Sequence, residues 1–219
     1  MANPDTYFNR REVSNSDLTE LKNLLYPRTQ YGDKEKAFKF GTLVDAIITE
    51  PERVDFYNLT VDDVEYLKED FDLAIEMRKS LLVESRKDTF LANVLKHAST
   101  QSVSIRKDQV FDYCGFEFTL DTRCKWDFWL PSMGFGGDLK TTAATTQREF
   151  EQAVDFFDWD RSRAYYMDIV NSDRDFIYAI SKKNCRIFKY FITGRDHPAY
   201  KAGKEKYLDL AFKYWQLIV

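Results

Sequence analysis

Apolar residues recur along this chain with two periods, and the change from one to the other divides it. Within about Lys36–Thr49, Phe40, Leu43, Val44, Ile47 and Ile48 fall at i, i+3, i+4, i+7 and i+8, the stripe of a single helical face. Ser14-Asn-Ser-Asp17 offers caps for an earlier helix over Leu18–Leu25 that Pro27 stops, and Pro51 closes the second. Residues 1–13 are polar and expected to be loosely held. Thr60 with Asp63 three residues on has the spacing of a capping arrangement. It predicts a long charged helix reaching about Arg86, followed by a shorter one over Leu91–His97.

At Gln101 the period shortens. Ser102–Leu130 is rich in Val, Ile, Phe, Tyr and Trp and often alternates, as in Cys114-Gly-Phe-Glu-Phe-Thr-Leu120, which predicts two or three antiparallel strands. Gly134–Thr142 reads as another strand after a glycine-rich approach. Residues 147–171 read as a helix, Asp175–Ser181 and Cys185–Ile192 as a hairpin turning at Lys183-Asn184, and Pro198–Leu217 as a closing amphipathic helix. The order predicts an α/β fold, a sheet sandwiched by helices.

With 219 residues and few glycines or prolines, the chain is expected to form one domain, mainly helical over 1–100 with the sheet and its flanking helices over 101–219. No stretch is long and apolar enough to span a bilayer, and the first residues lack a secretory pattern. Cys114, Cys124 and Cys185 cannot all pair with one another, nor do they match a zinc site. They are read as buried, reduced thiols of a cytoplasmic protein. The net charge of −4 argues against a large basic nucleic-acid surface, though not against a local groove. His97 and His197 are the only histidines and no phosphate-binding Gly-rich loop ending in Gly-Lys-Ser/Thr is present, so histidine-based catalysis and nucleotide hydrolysis of that type have little support.

The chemistry concentrates in Cys124-Lys-Trp-Asp-Phe-Trp-Leu130 and Gly136-Gly-Asp-Leu-Lys-Thr-Thr142. Residues two apart on a strand face one side, so Asp138 and Lys140 project together and Leu139 points into the opposite layer. A short hairpin would set Asp127 beside Asp138. Two carboxylates, with the Leu139 carbonyl as a further oxygen, suit a hard divalent cation. An ammonium beside them can orient a water or stabilise charge on a phosphoryl group. Asp…Asp-x-Lys alone is also what a surface ion pair at a strand end looks like. Asp127, however, sits among Trp126, Phe128, Trp129 and Leu130, where an unpartnered carboxylate is costly.

These residues resemble the PD-(D/E)xK nuclease superfamily, and within it the phage-type exodeoxyribonuclease VIII (RecE-like) family. Val13-Ser-Asn-Ser-Asp-Leu18 is similar to that family's opening motif. Phe40-Gly-Thr-Leu-Val-Asp-Ala-Ile-Ile-Thr-Glu-Pro51 is similar to its second-helix motif, Arg123-Cys-Lys-Trp-Asp127 with Gly137-Asp-Leu-Lys-Thr-Thr142 to its core, and Ala164-Tyr-Tyr-Met-Asp168 to the helix after it. The resemblance implies a restriction-endonuclease-like core, a central mixed β-sheet flanked by helices with an N-terminal helical region. It implies that Asp127 and Asp138 bind Mg2+, which Mn2+ can replace, and that Lys140 is catalytic. It further implies exonucleolytic hydrolysis of linear double-stranded DNA from its ends in phage or prophage recombination, a ring-shaped homo-oligomer, and a single-strand annealing protein as partner.

The chain also departs from the pattern. Trp126 replaces the proline before the first acid. Asp45 stands where the second-helix histidine is usual, and it lies off the apolar stripe: it is either a third metal ligand or a solvated carboxylate. Ser162 falls where the later helix usually carries glutamine. Arg161 and Arg163 beside it are candidates for phosphate contact; the alternative is a salt bridge to Asp158 or Asp168. Tyr166 is either a DNA-contacting residue or core. Lys201, Lys204 and Lys206 form a basic cluster that is either a solvated face or a DNA track. These departures leave open a DNA-binding relative with weak or no catalysis, and an endonuclease on the same fold.

Overall fold

The computed structural model of the chain describes residues 7, 10–27 and 33–218. The first helix, α1 (Asn15–Leu25), starts where its sequence says it should. Ser14 and Asp17 close a capping box in which the Asp17 carboxylate accepts from the Ser14 N–H at 2.7 Å. The second, α2 (Lys34–Thr49), capped by Asp33, buries Phe40, Leu43, Val44 and Ile47. Of residues 1–13, Tyr7 and Val13 are held more firmly than the polarity of the segment suggests. Tyr7 and Val13 are buried, and Val13 exchanges backbone hydrogen bonds of 2.8 Å with Asp121 and Arg123. Residues 1–6, 8 and 9 lie outside the described ones.

The Thr60–Asp63 spacing does not cap a helix. Short strands β1 (Val54–Asp55), β2 (Thr60–Val61) and β3 (Val64–Glu65) form a small antiparallel sheet instead. Asp62 takes φ +51 in the turn, and its carboxylate binds Arg53 at 2.7 Å. Helix α3 (Lys68–Ser85) therefore begins later, with no side-chain cap, and α4 (Thr89–His97) follows, capped by Asp88.

The sheet-forming half opens with a hairpin of two 15-residue strands, β4 (Ser99–Tyr113) and β5 (Phe116–Leu130). Cys114 and Gly115 both take positive φ at its tip, as a tight two-residue hairpin loop requires. Cys114 is consequently exposed and Cys185 only half-buried; of the three free thiols expected to be buried, Cys124 alone is. Strand β6 (Phe135–Thr142) runs antiparallel to β5 and parallel to β7 (Asp175–Ser181), and β8 (Ile187–Ile192) closes the sheet antiparallel to β7. The order is β4-β5-β6-β7-β8, a mixed sheet. Between β6 and β7 the expected single helix is two, α5 (Gln147–Phe156) and α6 (Trp159–Val170). Asp158 breaks it at φ +56 and pairs with Lys22 of α1. The last helix is α7 (Pro198–Ile218).

Helices cover both faces, as the α/β reading requires. Leu43, Val44, Ile47, Phe71 and Met77 from α2 and α3 pack with Phe128, Leu139, Phe176 and Tyr178 of the sheet. On another side, Tyr165 and Met167 of α6 and Tyr207 and Leu210 of α7 pack with Phe111, Phe118 and Trp126. Among the described residues no helix is long and apolar enough to cross a membrane.

The α6–α7 contact depends on Gly203, where an added Cβ would lie 2.3 Å from the Asp160 carbonyl oxygen. Backbone cannot move aside as a side-chain end can. Gly203→Ala is therefore expected to destabilise by about 1–3 kcal/mol, read as a fall in thermal midpoint. An unchanged midpoint would mean that the two helices are not packed this closely.

Candidate active site

The acids meet where the sheet splits. The β5–β6 ladder pairs Leu130 with Phe135 and Phe128 with Gly137, and stops there. One residue further, Asp127 and Asp138 stand opposite each other with no ladder between them. The Leu139 N–H that continued pairing would have used donates instead to Asp127 Oδ2 at 2.7 Å. The two glycines before Asp138 permit this close approach. A Cβ on Gly136 would lie 2.5 Å from a Trp126 ring carbon, and one on Gly137 2.3 Å from the Phe176 ring.

Asp138 is buried at 5% exposure, and its carboxylate lies against the Lys140 ammonium. Strand parity thus puts these two side chains together and Leu139 into the α2 core, as expected. From behind, Arg163 of α6 faces Asp138 Oδ1 at 3.7 Å and Asp175 Oδ2 of β7 at 3.7 Å. Burial alone would raise the Asp138 pKa. The Arg163 and Lys140 charges and a hydrogen bond from Asp127 outweigh it and hold the group at about 2. Asp127 is pushed well above the usual carboxylate range, first by burial and then by the charges of Asp45 and Asp138. Burial works against the charge on Lys140, yet Asp138 and Asp127 still raise its pKa.

Asp45 joins this group. It lies off the apolar stripe of α2, as expected, but it is half-buried and not freely solvated. Its Oδ1 accepts from Thr49 Oγ1 at 3.1 Å, and burial raises its pKa to about 6. Gln101 links it to the sheet: Gln101 Nε2 donates to Asp45 Oδ2 at 3.1 Å, to Thr49 Oγ1 at 3.0 Å and, at 3.5 Å, to Asp127 Oδ1. Asp127 therefore lies between the other two acids, opposite Asp138 and joined to Asp45 through Gln101, with Lys140 against Asp138. Among the described residues no group of three acidic, histidine or cysteine side chains is arranged to hold a metal ion as it stands. The donor set itself fits a hard cation, being all oxygen. Asp138 Oδ2, against Lys140, also lacks a directed hydrogen bond.

The overall structure is similar to that of an Eubacterium rectale protein named "putative exonuclease", with a TM-score of 0.55 and 16% identity over 96% of this chain and 82% of that one. The chain shares the fold of that protein, a mixed five-stranded sheet flanked by helices. A phage-related exonuclease from Haemophilus somnus 129PT also matches, at 13% identity over 97% of both chains, with a TM-score of 0.40. No family model matches the sequence, and no curated protein does.

The residues expected to meet DNA from α6 are placed differently. Arg161 and Arg163 are each 2% exposed. Arg161 donates to Asn15 Oδ1 at 3.1 Å and Thr19 Oγ1 at 2.6 Å, and lies 4.0 Å from Asp158, so it ties α6 to α1. Arg163 lies over the Tyr166 ring at 4.2 Å and the Trp126 ring at 5.6 Å. Both guanidiniums face the protein's own acids: Arg161 that of Asp158, one of the two partners expected, and Arg163 those of Asp138 and Asp175, neither of which was expected. Tyr166 packs edge-on against Trp126 at 5.1 Å and is half-buried. Ser162 donates to the Trp159 carbonyl at 2.8 Å, within its own helix. The basic cluster on α7 is likewise engaged: Lys201 with Asp196, Lys204 with Asp168, and Lys206 with Asp155 and Asp160.

Sequence reasoning missed Gln101, Thr49 and Asp175. Asp175 carries a signal in hindsight, a carboxylate opening the apolar run Phe-Ile-Tyr-Ala-Ile of β7. Thr49 lies in the motif that contains Asp45, one turn further along α2. Nothing in the sequence marks Gln101 beyond its place at the change of period.

Proposed function

We propose that the chain is a metal-dependent deoxyribonuclease that degrades linear double-stranded DNA from its ends. The convergence of Asp45, Asp127, Asp138 and Lys140 at the split between β5 and β6 carries this reading, on a sheet of nuclease type. Oxygen donors alone favour Mg2+, with Mn2+ able to replace it, over softer metals. Asp45, Asp127 and Asp138 would hold the ion, with the Leu139 carbonyl beside them. The bound metal supplies Lewis-acid polarisation of the phosphodiester and a more acidic water.

The chain's own groups do the rest. Arg163 fixes Asp138 from behind, and the Leu139 N–H fixes Asp127. Lys140 brings a protonated amine to the place where a phosphate oxygen gains charge. The name borne by the Eubacterium rectale protein favours action from ends over internal cutting. The resemblance in the sequence extends the proposal to a ring-forming homo-oligomer working in the cytoplasm with a single-strand annealing protein, in phage or prophage recombination.

The test is digestion of linear and covalently closed circular duplex DNA with Mg2+, with a chelator, and with Asp138→Asn. Loss of linear DNA only, dependent on Mg2+ and absent in the variant, is the expected result. Digestion of the circle would make the chain an endonuclease. DNA that is bound but never cut, with Mg2+ or Mn2+, would make it a binding protein.

A further inference from the structure

Gln101 is the third residue of β4, inside the paired hairpin, yet it takes φ +51. Its neighbours keep the register of the hairpin, Thr100 with Phe128 and Ser102 with Trp126, so Gln101 is the residue directly across from Asp127. A left-handed conformation in a residue with a Cβ costs about 1–2 kcal/mol. Strain of this kind persists where the surroundings hold it, and it concentrates at functional sites. Here it accompanies a side chain whose amide lies between Asp45 and Asp127, two carboxylates from different elements.

The residue type matters. Two desolvated carboxylates facing one point attract a donor when no cation is present, and the Gln101 Nε2 is that donor. A carboxamide has a second property that a lysine lacks: its oxygen occupies the place of its nitrogen after a half-turn about χ3. One side chain can thus offer N–H groups to bare carboxylates and a neutral oxygen to a hard cation, for which amide carbonyls are ordinary ligands. Leucine could do neither, and glutamate would offer the carboxylates of the metal-free site no amide donor and add a charge of their own sign.

We infer that Gln101 is a metal-responsive ligand, whose amide clasps Asp45 to Asp127 in the metal-free protein and turns its Oε1 to the cation when one binds. The inference rests on the metal site proposed above. It adds a neutral fourth side chain to that site, from a strand that carries none of the acids. It also gives Asp45 a fixed place, because the clasp holds the α2 carboxylate against the sheet before any metal arrives.

The test is Mn2+ binding to metal-free protein by calorimetry, paired with thermal unfolding with and without Mn2+, in wild type, Gln101→Glu and Gln101→Met. Gln101→Glu is expected to melt lower than wild type without metal, to bind Mn2+ several-fold more tightly, and to gain more in midpoint when Mn2+ is added. Gln101→Met keeps the length and loses both donor and acceptor. It is expected to bind Mn2+ about 10-fold more weakly, and it decides the matter if the glutamate variant does not fold without metal. Mn2+ affinity unchanged in both variants, while Asp127→Asn abolishes binding, overturns the role of Gln101 and leaves the metal site standing. A wild-type protein that binds no Mn2+ overturns both.

Discussion

Lys140→Met is expected to lower Mg2+-dependent cleavage of linear duplex DNA by about 10³-fold and to leave the protein folded. The side chain is partly open to solvent, 29% exposed, and its ammonium lies against Asp138. Removing it does not orphan that carboxylate, because Arg163 still faces it. Methionine retains the stem, so Thr141 and Leu139 keep their places in the parallel ladder with β7. What disappears is a charge located where phosphate would gather negative charge. Metal affinity is expected to hold or to rise, since a cation no longer competes with the ammonium among the carboxylates. The signature is therefore a fall in kcat with Mn2+ binding and thermal midpoint retained. Lys140→Arg is not expected to restore the rate, because a planar fork does not reproduce a compact ammonium. A Lys140→Met rate within 10-fold of wild type would remove Lys140 from the reaction.

Strand parity made the pair legible: in a β-strand, Asp138 and Lys140 must share a side, and an acid among Trp126, Phe128 and Trp129 must find a partner. Helical periodicity made α2 and its core face legible too. The same periodicity could not place Asp45, because a stripe shows which residues point inward but not which part of the sheet lies beneath the helix edge. The place of Arg161 was not legible. Its partners Asn15 and Thr19 are 146 and 142 residues away, and no local pattern encodes such a distance. The helix expected over 147–171 failed for a related reason. Asp158 gives up helical geometry there, and its carboxylate is held by Lys22 of another helix. At Thr60 the local signal itself was ambiguous, since a threonine and an aspartate three apart suit a turn between short strands as well as a cap. Gln101 stayed hidden because a positive φ at glutamine has no compositional mark.

Arg163→Met is expected to cost both stability and activity, and a second substitution separates the two. Arg163 is the counter-charge that Asp138 shares with Asp175, and Asp175 is 1% exposed with neither oxygen hydrogen-bonded by another side chain. Removing one partner of such a buried network costs about 3–5 kcal/mol, because the remaining charges stay buried without compensation. In a chain of this size that is a fall of roughly 10 °C in thermal midpoint. The fall is expected to shrink as the pH is lowered. Asp175, whose pKa burial already pushes well up against the pull of Arg163, can then take a proton and cease to be a buried charge. Replacing the network by neutral groups is usually far cheaper than breaking it. Arg163→Met with Asp175→Asn should accordingly regain more than half of the lost midpoint. Cleavage should not follow. Asp138 would still lack the group that holds it from behind, and activity is expected to stay about 10²-fold below wild type. Recovery of the rate together with the midpoint would reduce Arg163 to a structural tie. Recovery of the midpoint alone identifies it as the residue that aims Asp138.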